Sequence, residues 1–341
     1  MKSGMLATLT GAFLLVALLL LGAFNLSKPR ILVLHSSDRI STTVGKVDEG
    51  IRLVLEKNRQ PMTVHWHYLG IDNLPDERHR EDAAKVGLRA IDQFNPDVVI
   101  AVDDEAQQYV MHHFVGRDRP KLVYAAIDHD PKEYGYVGAA NVTGVSEVLP
   151  LVTMRDLLQY VKQGQPVRLA VLGDVLPTSK GQLEQVQAFN WAPHSVVSTH
   201  ILGDFPAWQA AIKGLEGKAD VVLVLSHGSV PTGTGASTTV PETEVVRWVE
   251  AHAGPLPLGT DIEFVQKGGG LSVAPSAKSI GEVAATDALT WLKGKSAGQP
   301  PLASQDMRYS IAVRMTALRA RKLNLPSIYV EAARLEQLYY P

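Results

Sequence analysis

Cysteine is absent from the 341 residues. That excludes disulfide frameworks, thiolate zinc sites, iron–sulfur clusters, thiol nucleophiles and the lipidated cysteine of a lipoprotein. A charge excess is lacking too: 33 Lys and Arg stand against 35 Asp and Glu, and a net charge of −2 gives no basis for expecting a nucleic-acid partner. Compositional bias is also missing. With 45% hydrophobic and 20% charged residues, 28 Gly and 20 Pro, the chain is globular rather than disordered or collagen-like. At roughly 150 residues per domain the length allows two lobes with separate cores.

Charge is also missing from one continuous stretch. No residue between Lys2 and Lys28 is charged, and Leu6 to Phe24 is apolar apart from Thr8, Thr10, Gly11 and Gly22. A bilayer-crossing helix needs about 20 such residues, whereas a cleaved signal peptide has an apolar stretch of about 7–15 ended by small residues. Gly22-Ala23-Phe24-Asn25 makes a poor cleavage site. Residues 1–27 therefore read as an N-terminal transmembrane helix acting as an anchor, with a cleaved signal segment as the alternative. Lys2 on one side balances Lys28, Arg30 and Arg39 on the other, so flanking charge does not set the orientation.

From Arg30 onward, short β-branched runs alternate with longer segments of helical period, the pattern of an α/β fold with parallel sheets covered by helices. The first series is strand Ile31–His35, helix Thr43–Asn58, strand Thr63–Tyr68, helix Asp76–Phe94, strand Asp97–Val102, helix Glu105–Val115 and strand Lys121–Ile127. After the Gly-rich stretch Tyr134–Gly144 comes a second: helix Pro150–Lys162, strand Arg168–Gly173, helix Ser179–Asn190, strand Ser195–Leu202, helix Pro206–Leu215 and strand Asp220–Ser226. Helix Pro241–Ala253, strand Pro257–Thr260, strand Leu271–Pro275 and helix Ala277–Gly294 follow, then a surface connection from Gly294 to Pro301 and a last strand and helix over about Asp306–Lys322. Two open sheets in one chain put a cleft between lobes, and ligands gather there at the carboxyl ends of strands.

Several loops resemble the extracytoplasmic solute-binding proteins of ABC transporters, the family with tryptophan- and tyrosine-binding members, and the related input domains of some sensor kinases. The pieces are Ile31-Leu32-Val33-Leu34-His35-Ser36, the run Asn95 to Ala106, Asn141-Val142-Thr143-Gly144-Val145-Ser146-Glu147, the run Gly269 to Pro275, and the closing segment Ile311 to Leu335 with Leu323-Asn324-Leu325-Pro326. The resemblance implies a type I periplasmic-binding fold: two Rossmann-like lobes joined by a hinge, closing on a small ligand. It divides the chain into a first lobe over 28–146, completed by about 271–305, and a second over 147–270, completed by about 306–341. The first loop departs from it: many relatives carry an aromatic residue after the His-Ser pair, where this chain has Ser37 and Asp38.

The candidate ligand residues end strands. His35, Ser36, Ser37 and Asp38 lead into a helix, where hydroxyls and free N–H groups would hold a carboxylate or would simply cap the helix. Among Asp103, Asp104 and Glu105 one acid is explained by capping and another would accept an ammonium group, Asp103 being the better placed. Tyr124 and Asp128 would flank a planar ligand, or else be a core tyrosine and a turn residue. Gly173 and Asp174, Ser226 and His227, and Thr260 and Asp261 end strands of the second lobe and would add polar contacts. Gly144, at the lobe crossing by resemblance, is the expected hinge.

Catalysis is not expected. Ser226-His227 lacks the Gly-x-Ser-x-Gly elbow that exposes a nucleophile. His65 and His67 are joined by no third ligand, and His112 and His113 on a helix point about 100° apart, so no metal is expected, and Gly233–Gly235 and Gly268–Gly270 lack the Lys-Ser or Lys-Thr of a phosphate loop. No cofactor is implied. The expected partners are a small-molecule ligand, either an amino acid or a small carboxylate, and an ABC permease; the membrane is met through the N-terminal helix. The alternatives are an anchored sensing domain signalling to a separate membrane protein and, well behind it, an anchored hydrolase. The expected location is extracytoplasmic, membrane-anchored, or periplasmic after cleavage.

Overall fold

The structure, a computed structural model, describes residues 2–71, 76–294, 304–306 and 308–341. The apolar run forms α1 (Lys2–Ser27), in which Thr8–Asn25 has a mean hydropathy of 2.0 and none of it is buried against the rest of the chain. Two residues later the first sheet begins.

The first lobe is built in chain order from β1 (Arg30–His35), α2 (Thr42–Lys57), β2 (Thr63–Tyr68), α3 (Glu77–Phe94), β3 (Val98–Val102), α4 (Asp104–Tyr109), β4 (Lys121–Ile127) and β5 (Val142–Glu147). The second takes α5 (Leu151–Leu158), β6 (Arg168–Gly173), α6 (Pro177–Ala188), β7 (Ser195–Ile201), α7 (Phe205–Gly214), β8 (Val221–Val224), α8 (Glu242–His252), β9 (Leu256–Gly259), α9 (Ile262–Gln266) and β10 (Leu271–Pro275). The chain then returns to the first lobe for α10 (Ala277–Leu292) and β11 (Ser304–Asp306). It ends in the second with β12 (Tyr309–Arg314), α11 (Met315–Ala320), α12 (Ser327–Leu335) and β13 (Tyr339–Tyr340).

The first sheet runs β11-β5-β4-β3-β1-β2, all parallel; the second runs β13-β12-β10-β9-β8-β6-β7, parallel except where β12 meets β10. Central strands are uninterrupted apolar runs because helices cover both faces: Ile31 to Leu34 and Val98 to Val102 are all buried. At the edge, β2 alternates exposed and half-buried residues over Thr63–Trp66. α2 buries Val44, Val47, Ile51 and Leu55, a 3.6-residue stripe. Its Gly50 brings α10 into backbone contact: a Cβ there would lie 2.0 Å from the Lys278 carbonyl oxygen, and one on Gly281 2.2 Å from that of Val47.

Three departures from the sequence reading bear on the cleft. Leu271–Pro275, expected in the first lobe, pairs with β9 and β12 in the second sheet, and α10 is what carries the chain back. Gly144 is not at a crossing but inside β5, opposite Tyr124; a Cβ would lie 2.0 Å from the Tyr124 carbonyl oxygen, so glycine serves strand packing there, and the crossing comes after Glu147. The helix expected over Glu105–Val115 stops at Tyr109 and continues as a 3₁₀ turn over Met111–Phe114. The connection expected between Gly294 and Pro301 lies almost entirely outside the described residues.

Candidate functional site

The strands of both sheets end toward one another, and between them lies a cavity of about 290 Å³ lined by both lobes. From the first lobe come Ser37, Asp38, Ser41, Asp103, Glu105, Asp128 and Glu147; from the second Thr178, Gln182, Ser226, His227, Glu242, Asp261, Glu263 and Lys267. Carboxyl groups dominate both walls.

Each acid is placed by local structure. Asp103 ends β3 and precedes α4 with φ 69 and ψ 164, a backbone region that is essentially glycine's and costs about 1–3 kcal/mol elsewhere. Its Oδ2 accepts from the Ser37 hydroxyl at 3.4 Å. Asp128 follows β4 and is reached from the second lobe by Gln182 Nε2 (3.4 Å) and Gln185 Nε2 (3.3 Å); Gln185 also donates to the Glu147 carbonyl (3.2 Å), tying the first crossing to the site. Asp261 caps α9 through the Phe264 N–H (2.8 Å) and keeps its other oxygen 3.7 Å from His227 Nδ1.

Enclosure and crowding raise the proton affinity of Glu147, Asp128 and Asp261, whereas for Glu263 the effect of burial is outweighed by Lys267 and its pKa is lowered. Burial, and then the charges of Asp104 and Asp261, push Glu147 up to about 8. Asp128 is raised well above the carboxylate range by burial and then by Glu147 and Asp104. Burial raises Asp261. For His227 burial alone would favour the neutral ring, but Asp261 and Glu242 more than offset it and its pKa is raised. Lys267 is held charged by Glu242 and Glu263, both in direct contact with its ammonium, so the one lysine of the cavity is already matched.

The sequence-named residues thus separate into two groups. Ser37, Asp38, Asp103, Asp128, Ser226, His227 and Asp261 line the cavity. The others stand behind it. His35 is fully buried, its Nε2–H donating to Asp48 (2.8 Å) and its ring stacked on Tyr68. Ser36 bridges β3 to α4, donating to the Val102 carbonyl (2.9 Å) and accepting from the Ala106 N–H (2.8 Å). Asp104 accepts from the Asp128 N–H (2.9 Å) and the Tyr134 hydroxyl, and so shapes the loop after β4. Tyr124 stacks on Tyr136 in the core. Gly173 makes room for Ser179, while Asp174 gathers the Leu176 and Ser229 N–H groups and the hydroxyls of Ser179 and Ser226. Thr260 donates to Gln182 (3.2 Å) and the Val224 carbonyl, orienting a glutamine that does reach the cavity.

Ser226 and His227 do not form a nucleophile–base pair: the hydroxyl donates to Asp174 (3.3 Å) and His227 Nδ1 to the Leu225 carbonyl (3.0 Å). Glu147, Thr178, Gln182, Glu242, Glu263 and Lys267 were not singled out beforehand as site residues. Glu147 is the last residue of β5 and the others lie on helices or, for Lys267, just after one, where a charged residue reads as surface.

The lobes touch across the cleft. Ser41 donates to Glu263, which also accepts from the Thr43 N–H (3.0 Å); Thr178 donates to Glu105 (3.3 Å), and Arg80 to Ser229 (3.2 Å). This is a closed arrangement.

No protein-family model matches the chain, and no curated protein matches it in sequence. Solved structures do match in shape. An ABC domain in complex with L-Trp from Streptococcus pneumonia superposes with a TM-score of 0.68 at 16% identity, covering 90% of this chain and 98% of that one. The ligand-free, open structure of a substrate-binding protein with adhesive properties from Clostridium difficile gives 0.62 at 17% identity, over 88% and 96%. A leucine-binding protein from Thermotoga maritima gives 0.54 at 16%, over 79% and 83%. The fold is the type I periplasmic-binding fold. In that fold the cavity described above lies between two hinged bodies, and the three links that join them run from β5 to α5, from β10 to α10 and from β11 to β12.

Proposed function

We propose that this protein is an extracytoplasmic solute-binding protein of the ABC-uptake type, and that its lobes clasp a small molecule carrying a protonated amine, such as an amino acid. The observation that carries this reading is the cavity wall: Asp38, Asp103, Glu105 and Asp128 from one lobe face Glu242, Asp261 and Glu263 from the other, against one matched lysine. A bare carboxylate would meet repulsion there; an ammonium group would meet compensation. The Ser37, Ser41 and Thr178 hydroxyls would receive an amino acid's carboxylate by exchanging their present bonds to Asp103, Glu263 and Glu105. Asp103 supports the reading independently, since strain at a cleft residue is retained where function uses its position. The L-Trp and leucine complexes or names of two structural neighbours point the same way.

Closure follows from contacts a ligand makes better with both lobes than with one. The ligand is bound, not transformed, which accords with the divergent Ser226 and His227 partners. α1 serves as the anchor, or as a signal segment, that places the lobes outside the membrane. A thermal-shift screen of the full chain in detergent against L-amino acids, α,ω-diamines, desamino acids and pentoses tests this. Amines should raise the melting temperature and their desamino counterparts should not; a panel in which desamino acids or pentoses give the larger shifts contradicts it.

A further inference from the structure

We propose that the base of the first lobe, where its strands begin, lies on an anionic lipid surface. The inference rests on α1 acting as an anchor, and it goes on to say which face of the protein meets the bilayer.

The link is short. α1 ends at Ser27 and β1 starts at Arg30, so Lys28 and Pro29 are all that separates them. The three steps from Ser27 to Arg30 reach at most about 11 Å, so the start of β1 cannot stand far from the headgroups once α1 is inserted. Strand register fixes what else is at that level. Arg30 is opposite Thr63, Ile31 opposite Val98, and Val98 opposite Lys121, so the turns preceding β2 and β4 flank the point where the chain leaves the membrane.

Those turns are basic. Lys57 closes α2 and Arg59 follows it; Arg117 and Arg119 precede β4, all four exposed. Their acidic neighbours are Glu56, Asp97 and Asp118, fewer than the cations once Arg30 and Lys121 are included. Arg119 pairs with Asp97 at 2.7 Å. Three other cations sit on aromatic rings instead: Arg30 over Phe94 (4.5 Å to the ring centre), Arg117 over Phe114 (4.8 Å) and Lys121 over Trp291 (5.3 Å). Such stacking positions a cation without cancelling its charge. The opposite end of the same sheet carries the acids of the cleft, so a chain of net charge −2 is polarised along its strands. Attraction of basic residues to anionic headgroups decays over a Debye length, about 8 Å, and the two-residue link keeps this face close enough to settle within it. Resting there, the first lobe becomes the fixed body and the second the moving one, with the cleft about 20 Å above the lipid by the rise of six strand residues.

The cysteine-free chain makes the test direct, since one introduced cysteine labels one site. The full chain, labelled at Gln60→Cys on the base or at Lys218→Cys at the far end of the second lobe, is reconstituted into phosphatidylcholine vesicles with or without about 30% phosphatidylglycerol, and quenching by headgroup-labelled lipid is measured. The Gln60→Cys label should be quenched at least about twofold more in the anionic vesicles, with the difference lost in about 0.5 M salt and in the Lys57→Gln/Arg59→Gln/Arg117→Gln variant. The Lys218→Cys label should not respond. Equal quenching in both vesicles, or a triple variant that behaves as the parent, overturns the proposal. Flotation with neutral vesicles at high salt reads α1 insertion separately: a chain that floats there without lipid-dependent quenching keeps its anchor and loses the lipid-facing base. One quenched in anionic vesicles but unable to float with neutral ones keeps the base and loses the anchor.

Discussion

Gly181 of α6 lies so near Asp128 of the opposite lobe that a Cβ on it would be 2.7 Å from the Asp128 carbonyl carbon and 2.8 Å from the His129 nitrogen. The contact is backbone against backbone across the cleft, so it belongs to the closed arrangement rather than to either lobe's own fold. Gly181→Ala should therefore tax closure alone. Overpacking of about 1–3 kcal/mol borne only by the closed form lowers ligand affinity about 5- to 150-fold. Calorimetry with a ligand from the amine screen reads the affinity, and the ligand-free melting temperature should stay near the parent's. An unchanged affinity would show that ligand binding does not require this closure.

Asp103 exchanges stability for position. Asp103→Gly relieves its φ of 69 and ψ of 164 and should stabilise the ligand-free protein by about 1 kcal/mol. The same change removes a carboxylate from the cavity and should weaken binding of an amine at least about tenfold. Denaturant unfolding together with calorimetry checks both signs; loss of stability with retained affinity would count against a ligand role.

Proton linkage gives a prediction with a definite sign. Glu147, pushed up to about 8 by burial, holds a proton near neutrality when no ligand is present, and burial raises the proton affinity of Asp128 beside it. A bound ammonium favours their ionised forms, so binding releases protons and affinity rises with pH toward about 8, by up to about tenfold per unit for each proton released. Loss of a proton from His227, whose pKa is also raised, acts in the same direction. Ligand-free stability runs the other way: a folded-state pKa above the unfolded value stabilises at low pH, and that contribution is lost as pH rises through about 8. Glu147→Gln should flatten the affinity profile. An affinity that falls between pH 6 and 8 would contradict an amine ligand, and those bounds are set by the about 8 of Glu147.

Gly50 and Gly281 test the first lobe itself. Both would-be Cβ atoms meet backbone carbonyls of the facing helix, which cannot rotate away. Gly50→Ala or Gly281→Ala should separate α2 from α10 and cost about 1–3 kcal/mol or more of stability, measured by chemical unfolding.

Much of this fold is legible in the chain because its central strands are continuous apolar runs and its helices carry clean stripes; Ile31 to Leu34 and the α2 stripe are examples. β5 is harder to read. Thr143, Gly144 and Ser146 look like loop, and only pairing with β4 makes them strand. The strand-end rule finds loops that approach the cleft but not which residue in each loop faces it. Ser36 and Asp104 turn inward to satisfy backbone N–H groups, whereas their neighbours Ser37 and Asp103 turn to the cavity. Glu263 on α9 and Lys267, which caps its end, are four residues apart and read as a solvent-exposed pair; only the approach of Ser41 and Thr43 from the other lobe makes them part of a site.

An amine ligand should draw the two hinged lobes together. Spin labels at Glu81→Cys and Ser237→Cys, exposed positions on opposite sides of the mouth that Arg80 and Ser229 bridge at 3.2 Å, report the gap by double electron–electron resonance. With an L-amino acid from the screen at saturation, the distance distribution should collapse onto its shorter component, and it should stay broader and longer with the desamino counterpart or with no ligand. Identical distributions with and without the amine would contradict it.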